Sequence, residues 1–436
     1  MTDVAAPGTF DPSGSNTKRK RDDMNSGSTT LKSLLSVNNL ASYSLPPSLS
    51  VTVARSHKLS FATNEKFASN SNSTLQFVLT PGNDYIYGPD SYFTFKLTIE
   101  AGTDISTVTY NFGDSTVLNL FKEIRIKHAG GTELEVVQNL NVLNFMKWEH
   151  DRELCYRARH AGLMGYDAAA TYVSNTASYT FAVPLSMLSE MFNQDKLLPS
   201  QLIAGMRIQL TLEDPRIAFK ASSATAADTL SYCVENCRMH LDSHTLSDSV
   251  QKALARMSSN EGLDIVYPTY YADTISKWNS LRRGVSISKA LSRVESIIVI
   301  PRLESQIDTA NQADIKKSIE SEQKMSIGKW QVAIGSQFFP SHQTASSLDD
   351  FWLAEQGRDT QNCAQYTEYT TKGRGHIRAM LERSSILTGS GLAISANRGA
   401  TVNIERIGAA ADRNLQLFVR HANLISVFLD NAVRRV

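Results

Sequence analysis

Cysteine is scarce, with four residues in a chain of 436. A disulfide framework is thereby excluded, and a reducing compartment is the expected setting. An excess of either charge is missing too. The 44 Lys and Arg against 43 Asp and Glu leave a formal net charge of +1, which gives no global attraction to nucleic acid or to an anionic membrane. No run approaches the ~18 uninterrupted apolar residues that a membrane-spanning helix needs. Met1–Phe10 has no basic start followed by an apolar stretch, so no secretory signal is expected and the chain reads as soluble. What is present is a globular composition, 42% hydrophobic and 20% charged. A chain of this size buries roughly three quarters of its unfolded surface, and its length suggests two or three domains.

Catalytic motifs are also lacking. There is no GxxxxGK[ST] phosphate loop, no GxSxG elbow and no HExxH helix. Gly389-Ser390-Gly391 starts like a dinucleotide loop, but Ile394 stands where the third glycine belongs, and a hairpin turn is the better reading. Cys233 and Cys237, if on a strand, share a face about 13 Å apart, too far for one metal ion. His240 and His244 have helical spacing in a segment that does not favour a helix. His150, Asp151 and Glu153 fit a solvated helix end. No active site, cofactor or metal site is expected, and the chain is read as a non-enzyme.

Residues 1–45 are rich in Ser, Asn, Thr, Gly and Asp and carry one basic cluster, Lys18, Arg19, Lys20 and Arg21, followed by Asp22-Asp23. That composition buries too little apolar surface to fold alone, so a flexible arm is expected, closed by Pro46-Pro47. The basic cluster has three open readings: a nuclear-import signal, a contact to nucleic-acid phosphates, or a solubilising charge group.

From residue 50 the dominant period is two, the strand period. Phe93, Phe95, Leu97 and Ile99 alternate with Tyr92, Thr94, Lys96 and Thr98. Similar alternation runs through Val51/Val53, Leu75/Phe77/Leu79, Ile124/Ile126, Leu134/Val136, Tyr179/Phe181/Val183 and Ile208/Leu210/Leu212. It continues in Val285/Ile287, Trp330/Val332/Ile334, Val402/Ile404 and Leu415/Leu417/Val419. One apolar and one polar face per strand is the pattern of antiparallel sheets with a single buried side. Short helices are expected over Leu246–Met257, Leu185–Phe192 and Asn139–Trp148, and long connections over 157–178, 213–231, 305–325 and 341–372. The polar stretch 213–231 serves as the domain boundary.

Taken in chain order, these segments resemble the double jelly-roll major capsid proteins of icosahedral DNA viruses, with the Polinton-like virus and virophage branch, in the adenovirus-like lineage, the nearest in pattern. The resemblance covers residues ~50–436. It rests on PGNDYIYGPDSYFTFKLTI (81–99), STVLNLFKEIRIKHAGGTELEVVQNLNVLNFM (115–146) and YTFAVPLSMLSEMFNQDKLLPSQLIAGMRIQLTLED (179–214). In the second half it rests on SYCVENCRMHLDSHTLSDSVQKAL (231–254), GVSISKALSRVESIIVIPR (284–302), WQVAIGSQFFPSH (330–342) and RNLQLFVRHANLISVFLDNAV (413–433). The basic arm and the connections 157–178 and 341–372 match nothing in the family.

The resemblance implies an all-β chain of two tandem eight-stranded jelly-roll sandwiches with short helices in the connections. The expected division is a flexible arm at 1–45, a first jelly roll at 46–220 and a second at 225–436. It implies a structural major capsid protein that forms pseudo-hexameric homotrimers and an icosahedral virion shell around a DNA genome. Implied partners are other copies of the chain, penton and minor capsid proteins, and packaged DNA through the arm. The implied location is the virion, and during assembly the host cell, including its nucleus if Lys18–Arg21 is an import signal. The alternative is a carbohydrate-binding or carbohydrate-cleaving β-sandwich, which needs clustered exposed aromatics and paired carboxylates. Trp148, Trp278, Trp330 and Trp352 are scattered in sequence, and no carboxylate pair stands out.

Overall fold

A computed structural model describes residues 52–100, 109–112, 115–166, 172–173, 178–221, 230–260, 262–278, 280–303, 327–343, 348–349, 352, 377–381, 391–394, 399–406, 413–428 and 433–435. The arm at 1–45, Pro46-Pro47 and the connection 305–325 lie outside these residues.

The described residues are mostly antiparallel strand, as the period of two requires. In the first half the strands are β1 (Thr52–Phe61), β2 (Lys66–Ala68), β3 (Thr74–Val78), β4 (Tyr85–Glu100), β5 (Thr109–Asn111) and β6 (Phe121–Lys127). They continue with β7 (Glu133–Gln138), β8 (Tyr172–Val173), β9 (Ser178–Pro184), β10 (Leu197–Leu198), β11 (Arg207–Leu212), β12 (Lys220–Ala221) and β13 (Ser231–Leu246). A sheet in the order β1-β13-β4-β10, with β2 on β13 and β9 on β4, faces a sheet in the order β3-β11-β6-β7. The alternating residues of both meet in one core. Phe93, Phe95, Leu97 and Ile99 from one sheet pack with Leu75, Phe77, Ile124, Ile126, Ile208 and Leu210 from the other. Phe77 and Phe93 span the gap edge to face, with ring centres 5.5 Å apart. Such a pair adds about 0.5–1.5 kcal/mol beyond its area burial.

The second half repeats the plan. Its strands are β14 (Leu263–Trp278), β15 (Arg282–Ile287), β16 (Leu291–Leu303), β17 (Ile327–Ile334) and β18 (Gln337–Phe339), then β19 (Ile377–Met380), β20 (Leu392–Ile394), β21 (Ala400–Arg406), β22 (Arg413–Val427) and β23 (Val433–Arg435). A sheet β14-β22-β16-β19, with β20 on β16 and β23 on β22, faces a sheet β15-β21-β17-β18. Trp330, Val332, Val402 and Ile404 fill the core against Ile297, Val299, Leu417 and Val419. Close approach fixes one glycine here: a Cβ on Gly391 would lie 2.2 Å from the carbonyl oxygen of Val294.

Three sequence expectations are corrected. First, 213–231 is not where the chain passes from one half to the other. Ser231–Leu246, assigned to the second half, is hydrogen-bonded between β1 and β4 over most of its length. The crossover to the second half follows it, through the helix Asp248–Asn260. Second, the connection 157–178 overlaps the helix Leu154–His160 and contains β8. Third, β22, and β16 from Val294 to Ile300, have no solvent face. Leu417 and Val419 point into the second core while Phe418 joins the first. Ile297 and Val299 likewise enter the second core while Ile298 and Ile300 enter the first. The sheet is a wall shared by both halves.

The predicted helices form, as Leu140–Met146, Leu185–Leu188 and Asp248–Asn260. Among the described residues no helix is long and apolar enough to cross a membrane.

Two-sided burial has a measurable consequence. Phe418→Ala empties the side of the wall that faces the first half and is expected to cost about 3–5 kcal/mol, read as a lower denaturation midpoint in guanidinium chloride. A change no larger than that of an exposed-site substitution would contradict the shared wall.

Candidate functional site

Lys18, Arg19, Lys20 and Arg21 lie outside the described residues, as do Gly389 and Ser390. The cysteine pair is resolved differently from its expected geometry. Asn236 adopts a left-handed conformation, φ 52°, and the register against β4 shifts between Glu235 and Arg238. This bulge moves the alternation by one residue. Cys237 therefore enters the core, while Cys233 turns out to donate to Glu100 Oε1 at 3.4 Å. Burial raises both thiols, Cys237 to about 12 and Cys233 to about 11, so neither is a nucleophile near neutral pH. His244 is committed to Asp242, Nε2 to Oδ2 3.0 Å, and His240 lies away from it. Among the described residues no group of three or more metal-ligating side chains occurs.

The dense chemistry lies where the two halves meet. Tyr267 on β14 donates through its hydroxyl to the carbonyl of Leu134 at 2.7 Å. Asn423 on β22 donates to the same carbonyl at 2.9 Å and to the Tyr267 oxygen at 2.7 Å. Arg378 on β19 reaches Asp151 at 2.6 Å. Lys147, in the helical turn Lys147–Asp151, holds Glu190 at 2.6 Å with both side chains almost fully buried. The Lys147 ammonium also sits 5.4 Å from the ring centre of Tyr270. Arg420 on β22 pairs with Glu295 on β16 at 3.1 Å.

Two carboxylates in this cluster take opposite states. Glu135 on β7 accepts hydrogen bonds from Ser189 and, at 3.0 Å, from Thr269 Oγ1 of the other half. Burial dominates there and pushes its carboxyl up to about 7, despite Lys147 and the two hydroxyls. Burial acts on Glu190 in the same direction, but Lys147 and Arg420, with a smaller part from Arg152, outweigh it and hold the group at about 2. A carboxyl pair split in this way has the electronic form of a general acid and its partner. Here both are closed off, Glu135 at 3% and Glu190 at 6% exposure, so the pair is built into the joint.

Sequence reading missed both residues. The alternation pairs Val136 with Leu134 on the buried face, whereas β7 buries Leu134, Glu135 and Val137. The alternation cannot show that the polar face of an edge strand will be covered by another domain. For Glu190 a signal existed: a lone carboxylate inside the apolar run Leu185–Phe192 needs a buried cation. The aromatic groove of the sugar-binding alternative also loses members, because Trp148 and Trp330 are buried core residues.

The opposite states give opposite pH responses. Glu135 binds its proton more tightly folded than unfolded, so its contribution is complete below pH ~4.5 and is lost as pH rises through about 7. The loss is about 3 kcal/mol at full ionisation. Glu190 contributes above pH ~4.5 and loses its contribution as pH falls toward 2. Glu135→Gln is expected to raise the thermal midpoint at pH 8 relative to wild type and to leave it nearly unchanged at pH 5. An equal effect at both values would refute a titrating Glu135. Lys147→Met, which strands Glu190, is expected to cost about 3–5 kcal/mol, and Lys147→Met with Glu190→Leu should recover most of it in the same unfolding assay.

Neither the family models nor the curated proteins contain a match to this chain. Solved structures do match in fold. PBCV-1 VP54, fitted into a reconstruction of the virophage Sputnik, is 12% identical, with 90% of this chain and 99% of that chain covered and a TM-score of 0.61. The Faustovirus major capsid protein is 10% identical, covering 88% and 92%, with a TM-score of 0.61. The mavirus major capsid protein is 9% identical, covering 99% and 97%, with a TM-score of 0.50. These neighbours are double jelly-roll capsid proteins, and the chain has their fold.

Proposed function

We propose that this chain is a structural major capsid protein of an icosahedral DNA virus, without enzymatic activity. The carrying observation is architectural: two antiparallel sandwiches in one chain, each a six-stranded sheet facing a four-stranded one, joined across a shared wall. Two similar bodies per chain, repeated by a threefold axis, give a sixfold-like outline, so a pseudo-hexameric homotrimer is the assembly we infer. The near-neutral net charge suits a protein that packs against many copies of itself. We place it in the Polinton-like virus and virophage branch of the adenovirus-like lineage, on the sequence resemblance.

The division at 1–45, the arm's docking on the inner side of the shell, and contact of Lys18–Arg21 with packaged DNA or with import machinery belong to the same proposal. So do the penton and minor capsid partners. Length supports the arm's part, since 45 extended residues reach up to ~150 Å. So does composition, since Leu31, Leu34, Leu35, Val37 and Leu40 give a docking segment too small to fold alone.

Analytical ultracentrifugation and negative-stain imaging of the purified chain test this reading. The expected species has three times the chain mass of 48.1 kDa, or is a closed shell. Deleting residues 1–45 should leave the trimer intact and impair shell formation. A stable monomer at micromolar concentration that forms no shell, or one that binds glycans, would overturn the capsid reading. A truncated chain that assembles as well as the full one would overturn the arm's role.

A further inference from the structure

The outer face of the first sheet carries a side-chain arrangement that the joint and the capsid reading do not use. On β1, exposed His57 stands diagonal to half-buried His240 on β13, because Leu59 is the register partner of His240 and Asp242 that of His57. Their imidazoles face each other, Nε2 of His57 to Nδ1 of His240, at 3.2 Å. We propose that His57 and His240 form a two-histidine chelate for a borderline divalent transition-metal ion of the Zn2+ or Ni2+ type, with water in the remaining positions.

The bite fits. Two imidazole nitrogens bound at about 2.0–2.1 Å and separated by a tetrahedral angle stand about 3.3 Å apart. Imidazole is also the ligand that suits Zn, Cu and Ni ions. The supporting contacts are those of a held ligand rather than a loose surface histidine. His240 Nε2 lies 2.9 Å from the hydroxyl of Thr94 on β4. An Nε2–H donated to that oxygen fixes the tautomer whose Nδ1 lone pair faces His57, which is how outer groups orient metal-binding histidines. The Tyr92 ring stacks on His240 with centres 4.4 Å apart and planes 8° from parallel, so the ring plane is set before any ion arrives.

Without metal, the His57 Nε2–H donates to His240 Nδ1. On binding, that proton moves to Nδ1 of His57, and both rings enter as neutral ligands, so the tautomer change itself releases no proton. The charged neighbours set the affinity. The cationic Arg238 opposes the ion. Asp242 is occupied by Arg55, at 2.7 and 2.9 Å, and by His244, so it does not serve as a third ligand.

Calorimetric titration of Ni2+ into the untagged, chelator-stripped full chain at pH 7.5 tests the site, with Zn2+ as a second probe. His57→Gln and His240→Gln are each expected to abolish one binding event per chain or to raise its Kd at least tenfold. Thr94→Val, which removes only the orienting contact, should weaken binding by about 10-fold. His244→Gln should leave it unchanged. All four positions lie at the sheet's outer face, and unchanged far-ultraviolet dichroism would show that folding is intact. No Ni2+ binding by the wild-type chain, or wild-type affinity retained in His57→Gln or His240→Gln, would overturn the proposal. The result is independent of oligomeric state, so it stands or falls separately from the capsid reading.

Discussion

Two-sided burial of the β14-β22-β16 sheet is the constraint on which the rest of the fold depends. A strand that serves two cores cannot keep a polar face. Ile297, Ile298, Val299 and Ile300 therefore run without interruption, and Leu415, Leu417 and Val419 alternate with Gln416 and Phe418, both also buried. The second half closes its sandwich with one further sheet, while the first half, with two sheets of its own, packs against the other side of the wall. The second half contributes its own wall to the first half's core through Tyr267, Tyr270 and Phe418. The halves are tandem in sequence but not independent in packing.

Burying that wall also brings polar groups out of water, and the joint shows how they are answered. Carbonyl and hydroxyl groups are met by hydrogen bonds such as those from Asn423 and Tyr267 to Leu134. Charges are met by charges, with Lys147 on Glu190 and Arg378 on Asp151. Among the described residues Glu135 has no cation at contact distance, and it is answered by the hydroxyls of Ser189 and Thr269. A buried carboxyl so placed gives up its charge more readily than its place, because hydroxyls satisfy the neutral acid as well as the anion. Thr269 comes from the opposite half, so the protonation of Glu135 is a property of the joint rather than of either sandwich.

Much of this was legible in the sequence, and the exceptions have physical causes. Strands with one wet face announced themselves: the alternation through Phe93–Ile99, Ile208–Leu212 and Trp330–Ile334 matches their burial. The apolar run at 297–300 did carry the signature of a strand buried twice, but a count of alternating pairs passes over it. Asn236 gave no such warning, since a bulge is a backbone event that no periodicity records, and it reversed the facing of Cys233. The boundary was misplaced because composition marks where a loop is exposed, not which sheet the next strand will join. Ser231–Leu246 returns to the first half because β1 and β4 leave a slot between them. Glu135, His57 and His240 were beyond reach for a shared reason: their partners lie 54, 134 and 183 positions away.

The common wall also bears on mechanics. Two domains tied by a linker can hinge, whereas two that share a packed sheet cannot turn against each other without opening a core. The two halves are therefore coupled through one packed sheet among the described residues. If copies of the chain tile a closed surface, the angles that bend the tiling must be taken up at the seams between chains, and differences in local curvature would show as altered contacts between copies rather than as altered folds within them.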